Sequence, residues 1–166
     1  MYKLAATRFN THTWKENETW RKQNNHNGCI YGTPCKIKDN IGYADSIFIL
    51  EMQNDENKIK GIGLIKKYPC MDKPYRIYSE GNYNRFTYKS QYRIDMSELS
   101  GYNKSIVEMF DTLLFKTKKH IKRAQGITEL PGWIINNKHI NFIAFFRELF
   151  QKHFPTLSPT TEKKEL

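Results

Sequence analysis

Ser46-Ile-Phe-Ile-Leu-Glu-Met52, Gln53-Asn-Asp-Glu-Asn57 and Lys58-Ile-Lys-Gly-Ile-Gly-Leu-Ile65 follow one another without interruption. The first and third stretches are rich in β-branched and aromatic residues, and the polar run between them suits a turn, so they predict a β-hairpin. Strand side chains alternate, so Gly61 and Gly63 share a face with Ile59 and Ile65. Two glycines on one face leave a flat strip, which a packed helix would use, or else a ligand.

Working outward, Lys3–Phe9 reads as a first strand. Asn10-Thr-His-Thr offers capping side chains to a short helix from Trp14, ended at Asn24-Asn-His-Asn-Gly28, with Gly28 supplying a positive φ. Cys29–Tyr31 is a short strand stopped by Gly32-Thr-Pro34. Beyond the hairpin, Tyr75–Tyr78 and Asn84–Ile94 read as two more strands around Ser79-Glu-Gly-Asn82. After Ser97 the period becomes helical, with Ile106, Phe110, Leu113 and Leu114 on one face. A last helix is expected over 138–152. The fold class is therefore α/β (α+β): one mixed domain over 1–154, helices concentrated in its C-terminal third, and a disordered polar tail over 155–166.

Composition restricts the function. The 166 residues carry 27 Lys and Arg against 17 Asp and Glu, a formal charge of +10, with 14% aromatic residues. That aromatic content argues against wholesale disorder, and no apolar run approaches a membrane span. With no secretory leader and three cysteines that cannot all pair (Cys29, Cys35, Cys70), an intracellular protein is expected. No Cys-x2-Cys or His-x3-His spacing supports zinc, and neither metal nor cofactor is expected.

Excess positive charge concerns partners, and polyanions come first. Residues 58–93 hold nine Lys and Arg against Asp72 and Glu80, interleaved with aromatics. The simple reading puts aromatics in the core and charges in water. The functional reading assigns Arg76, Arg85, Lys89 and Arg93 to phosphates, with Tyr78 or Tyr83 as a stacking platform. Lys116-Thr-Lys-Lys-His-Ile-Lys-Arg123 adds Lys116, Lys118, Lys119, Lys122 and Arg123 without an acid, more cations than a helix dipole asks for. Trp14, Trp20, Tyr31 and Trp133 complete the candidate aromatics, since a ring beside cations can enclose a methylated or charged base. Catalytic patterns are missing apart from Glu56-Asn-Lys58, which with Glu51 would be the seed of a metal-dependent nuclease.

The order of elements through residue 66 resembles the PUA-like superfamily, in particular its YTH and EVE branches. The resemblance runs through Gly28-Cys-Ile-Tyr-Gly-Thr-Pro34 and the hairpin, and it implies a small β-barrel or twisted sheet that reads modified bases. Where YTH readers carry a cage Trp, this chain has Ile30, with Tyr31 next to it. The whole chain, including Tyr83-Asn-Arg-Phe-Thr-Tyr-Lys89 and Lys119-His-Ile-Lys-Arg-Ala-Gln-Gly-Ile-Thr128, also resembles uncharacterised proteins of large cytoplasmic DNA viruses, which implies the host cytoplasm. The expectation is a non-catalytic RNA-binding protein that takes a modified base or a methylated mRNA cap. DNA is the second polyanion, and the alternative is a protein-interaction subunit of a viral transcription or translation complex.

Overall fold

The computed structural model describes residues 1–157, so residues 158–166 of the expected polar tail lie outside the described residues, while Pro155–Leu157 form a 3-10 turn. The span read as one domain packs as two compact units, Met1–Leu130 and Pro131 onward.

In the first unit, β1 (Tyr2–Phe9) leads directly into α1 (Thr11–Gln23). Asn10 is the cap: its side chain accepts from the Thr13 amide at 2.8 Å, and Thr13 returns the bond to the Asn10 amide, which satisfies two donors at the helix start. The chain leaves α1 through Asn25, whose φ is +50°. Gly28, expected to supply that positive φ, serves a different need, because a Cβ there would strike the Ser90 carbonyl. Next come β2 (Cys29–Thr33), β3 (Ser46–Gln53), β4 (Lys58–Lys66), β5 (Phe86–Ser90) and β6 (Tyr92–Asp95). α2 (Gly101–Leu113) and the two-residue β7 (Thr128–Glu129) follow.

The hairpin forms as expected, with Asn57 at φ +54° in its turn. β1 lies parallel to β3, and α1 lies on the crossover such a pairing requires. The main sheet runs β6-β4-β3-β1-β7 and is open rather than closed into a barrel, while β2 and β5 form a separate antiparallel ribbon. The core lies between them, built from Ala5, Phe9, Ile30, Ile47, Ile49, Ile65 and Tyr88, with Trp14 and Trp20 packed half-buried against it.

Two strand expectations are corrected. Tyr75–Tyr78 pairs with no strand, because the Ile77 and Tyr78 amides are taken by the Asn84 side chain at 3.1 and 3.0 Å. Asn84–Ile94 is also not one strand: it breaks at Gln91, where β5 leaves β2 and β6 joins β4. Within β6 both Arg93 and its neighbour Ile94 are buried, so the face expected to carry solvated cations is covered as well.

The strip beside Gly61 and Gly63 is filled by side chains of the core rather than by a helix backbone. A Cβ on Gly61 would lie 2.5 Å from Arg93 Nη2 and 2.7 Å from Glu51 Oε2, and one on Gly63 would strike the Tyr31 hydroxyl. In the second unit, Gly132–Ile135 forms α3 and Phe142–His153 forms α4, the latter capped by Asn141. Phe142, Phe146, Leu149 and Phe150 are buried on α4. Among the described residues no helix is long and apolar enough to cross a membrane.

Candidate nucleic-acid interface

Because β1 and β3 are parallel, their C-terminal ends lie side by side, and the Asn54 amide extends the ladder to the Phe9 carbonyl at 2.8 Å. The first turn of α1 starts at the same place. Asp55 accepts from the Thr11 amide at 2.7 Å and from its hydroxyl at 2.9 Å. These bonds hold its carboxyl below the ordinary range, as suits an anion at a helix N-terminus.

A cavity of about 370 Å³ opens here, in the size range of small-molecule sites. It is lined by Thr7, Arg8, Phe9, Asn10 and Thr13 from the end of β1 and the start of α1, by Gly32, Pro34 and Asn54, and by Tyr78, Asn82 and Tyr83 of the facing loop. Gln125 and Gly126 complete the lining. The facing loop is closed on itself, since Asn84 binds the Ile77 and Tyr78 amides and donates to the Tyr78 carbonyl. The Tyr78 hydroxyl accepts from Asn17 Nδ2 at 3.0 Å, and the same amide reaches the Ile30 carbonyl at 2.7 Å. Burial pushes the Tyr78 hydroxyl pKa up, so it stays protonated at neutral pH. Tyr83 meets the Tyr78 ring edge to face, 6.2 Å between centroids at 87°. Tyr78 is 7% exposed and Tyr83 38%, so Tyr83 is the accessible ring of the two.

The segment 116–123 is tied to this cavity by its backbone. The Lys122 carbonyl accepts from Arg8 Nη1 at 3.0 Å and from Asn54 Nδ2 at 2.8 Å, both on residues of the cavity lining. The Ile121 amide donates to the Leu114 carbonyl, folding the segment back on the end of α2. Lys116, Lys118, Lys119 and Arg123 are exposed, and Lys122 is half-buried.

The other candidates scatter. Arg93 is buried: its guanidinium binds both Glu51 oxygens, at 2.9 and 2.8 Å, and Asp95 at 3.0 Å. Burial opposes its charge, but the Glu51 carboxylate outweighs burial and raises its pKa. Arg93 is therefore a core ion-pair partner and not a phosphate ligand. Tyr31, 1% exposed, donates to Glu51 at 2.8 Å and cannot stack on a base. Lys89 is exposed but donates to the Tyr75 hydroxyl at 3.1 Å, which raises its pKa. Arg85 lies over the Phe86 ring at 5.6 Å.

Trp14 packs edge-on against Phe9, with the Arg21 and Arg93 guanidiniums over its ring. It does not line the cavity. Trp20 and Arg76 line a shallower groove of about 310 Å³ on the outer side of α1. Trp133 belongs to the second unit and is 39% exposed. Glu51, Glu56 and Lys58 do not assemble into a nuclease centre. Both Glu51 oxygens are held by Arg93, Glu56 pairs with Lys60 at 2.9 Å, and among the described residues no three His, Cys, Asp or Glu side chains converge.

Sequence reasoning missed Arg8 and Asn54, which join the cavity to the basic segment. Their one signal is position: Arg8 is the last residue but one of β1, two before the helix cap, and Asn54 opens the hairpin turn. Compared with protein-family models, curated proteins and solved structures, the chain matches none.

Proposed function

We propose that this chain binds RNA without catalysing a reaction on it, placing one base in the cavity between β1 and the 78–83 loop and phosphates along residues 116–123. The observation that carries this reading is the double hydrogen bond from Arg8 and Asn54 to the Lys122 carbonyl. It ties the backbone of a run with exposed cations to the lining of a recess that has a reachable aromatic ring, which supports the pairing single-stranded nucleic acid asks for. A modified base or a methylated mRNA cap is the ligand class. A PUA-like reader acting inside the host cytoplasm belongs to the same reading. Engagement of Glu51 by Arg93 and Tyr31 favours binding over hydrolysis.

Fluorescence anisotropy with labelled single-stranded RNA tests it. About four to six phosphates engaged, at a slope near −0.7 each, make log affinity fall steeply with log salt. Tyr83→Ala removes the difference between modified and plain oligonucleotides and leaves the salt slope in place. An affinity that stays constant as salt is raised would remove the proposal.

A further inference from the structure

We infer that Arg8 narrows this ligand class: of the modified base and the methylated mRNA cap, the cavity takes an uncharged nucleobase and excludes a cationic one, such as the 7-methylguanine ring of the cap; this rests on the RNA-binding reading. The lining contains one charged side chain, Arg8, and no carboxylate. The acids beside the lining residues are turned to backbone: Asp55 accepts from the Thr11 amide and hydroxyl, and Glu80 from the Asn82 amide at 3.3 Å. Arg8 cannot swing away freely, because its Nη1 is anchored on the Lys122 carbonyl. The same carbonyl ties the backbone of the cationic 116–123 segment to the cavity lining, which adds positive charge near Arg8.

A cationic ring would need compensation from aromatic faces or an acid. Tyr78 and Tyr83 meet at 87° and Tyr78 is almost fully buried, so the pair offers no two parallel faces to sandwich a cation. What the mouth does offer is neutral: the exposed Asn82 and Gln125 carry amides, the groups that read base edges through paired hydrogen bonds. A neutral base stacked on Tyr83, with its 5′-phosphate toward Arg8, satisfies every group named.

Calorimetric titration of the full chain at mildly acidic pH, where 7-methylguanine is cationic, compares AMP, GMP, N6-methyl-AMP and 7-methyl-GMP. The uncharged bases bind at least about tenfold more tightly than 7-methyl-GMP, the size expected for one like-charge repulsion near the surface. Arg8→Glu reverses the order. Arg8→Gln, which keeps a donor for Lys122, brings the ratio toward one and decides the matter if the glutamate variant does not fold. Equal or tighter binding of 7-methyl-GMP overturns the inference, and so does a ratio indifferent to Arg8. If no mononucleotide binds while RNA still binds with its salt dependence, the inference falls and the RNA reading stands. If RNA does not bind either, both fall.

Discussion

Residues 58–93 and 116–123 are both crowded with lysine and arginine, yet the molecule treats them in opposite ways. In the first stretch several of the cations serve the fold. Arg93 neutralises Glu51 beneath β4, and Lys67, 6% exposed, donates to the Ile41 carbonyl at 2.7 Å. Lys66 reaches the Ala44 carbonyl, Lys60 pairs with Glu56, and Lys89 holds Tyr75. In the second stretch the backbone does the holding, through the Lys122 carbonyl, and the side chains of Lys116, Lys118 and Arg123 are exposed. Charge density along a chain therefore does not distinguish a cation that closes a core from one that meets a ligand. What separates them is whether an acceptor faces the cation from a neighbouring strand.

The sharpest way to break this contrast is Arg93→Met. It leaves Glu51 buried without its counter-ion and costs about 3–5 kcal/mol of stability in urea denaturation. Adding Glu51→Leu recovers part of that loss, because the buried charge is gone while the Tyr31 hydroxyl loses its acceptor. A single variant as stable as the parent would mean that the ion pair does not hold the core.

The next step changes the other stretch. Replacing Lys118, Lys119 and Arg123 together by Gln leaves the urea midpoint almost unmoved, within about 0.5 kcal/mol. It weakens all RNAs alike and lowers the salt slope by about 2. A loss of stability comparable to that of Arg93→Met would erase the distinction.

The smallest effect concerns acid. Burial pushes the Asp95 carboxyl up, but hydrogen bonds from Ser97 and the nearby Arg93 outweigh it and leave the pKa below its ordinary value. A depressed carboxyl stabilises the fold above about pH 4 and loses that contribution as pH falls through its folded value. Asp95 is partly exposed, so the change is modest. Asp95→Asn lowers stability slightly at neutral pH and leaves it unchanged below the folded pKa, so the acid limb of the profile, read as urea midpoints across pH, becomes flatter.

These contrasts explain what could be read in advance. The hairpin was legible because its apolar run and turn residues agree, and α1 because its cap stands next to its first turn. Tyr75–Tyr78 was misread because the Asn84 side chain takes two of its amides, and Asn84–Ile94 because the break at Gln91 moves the chain from one sheet to another. No periodicity announces such a transfer, so Arg93 looked like a surface cation. Tyr78 and Tyr83 were correctly placed near a turn, but their neighbours Arg8 and Asn54 depend on β1 running parallel to β3. That pairing joins residues more than forty positions apart and leaves no local mark.

The sheet order also affects how these molecules behave toward one another at high concentration. The long strands lie inside, and the outer positions go to β6, of four residues, and β7, of two. An unprotected strand rim is a template for intermolecular association and fibril growth. β7 shields β1 at Ala5 and Ala6, and Glu129 fastens it through Asn40 at 2.6 Å. Thr128 and Glu129 thus act as a guard against self-templating, although they add little to the core.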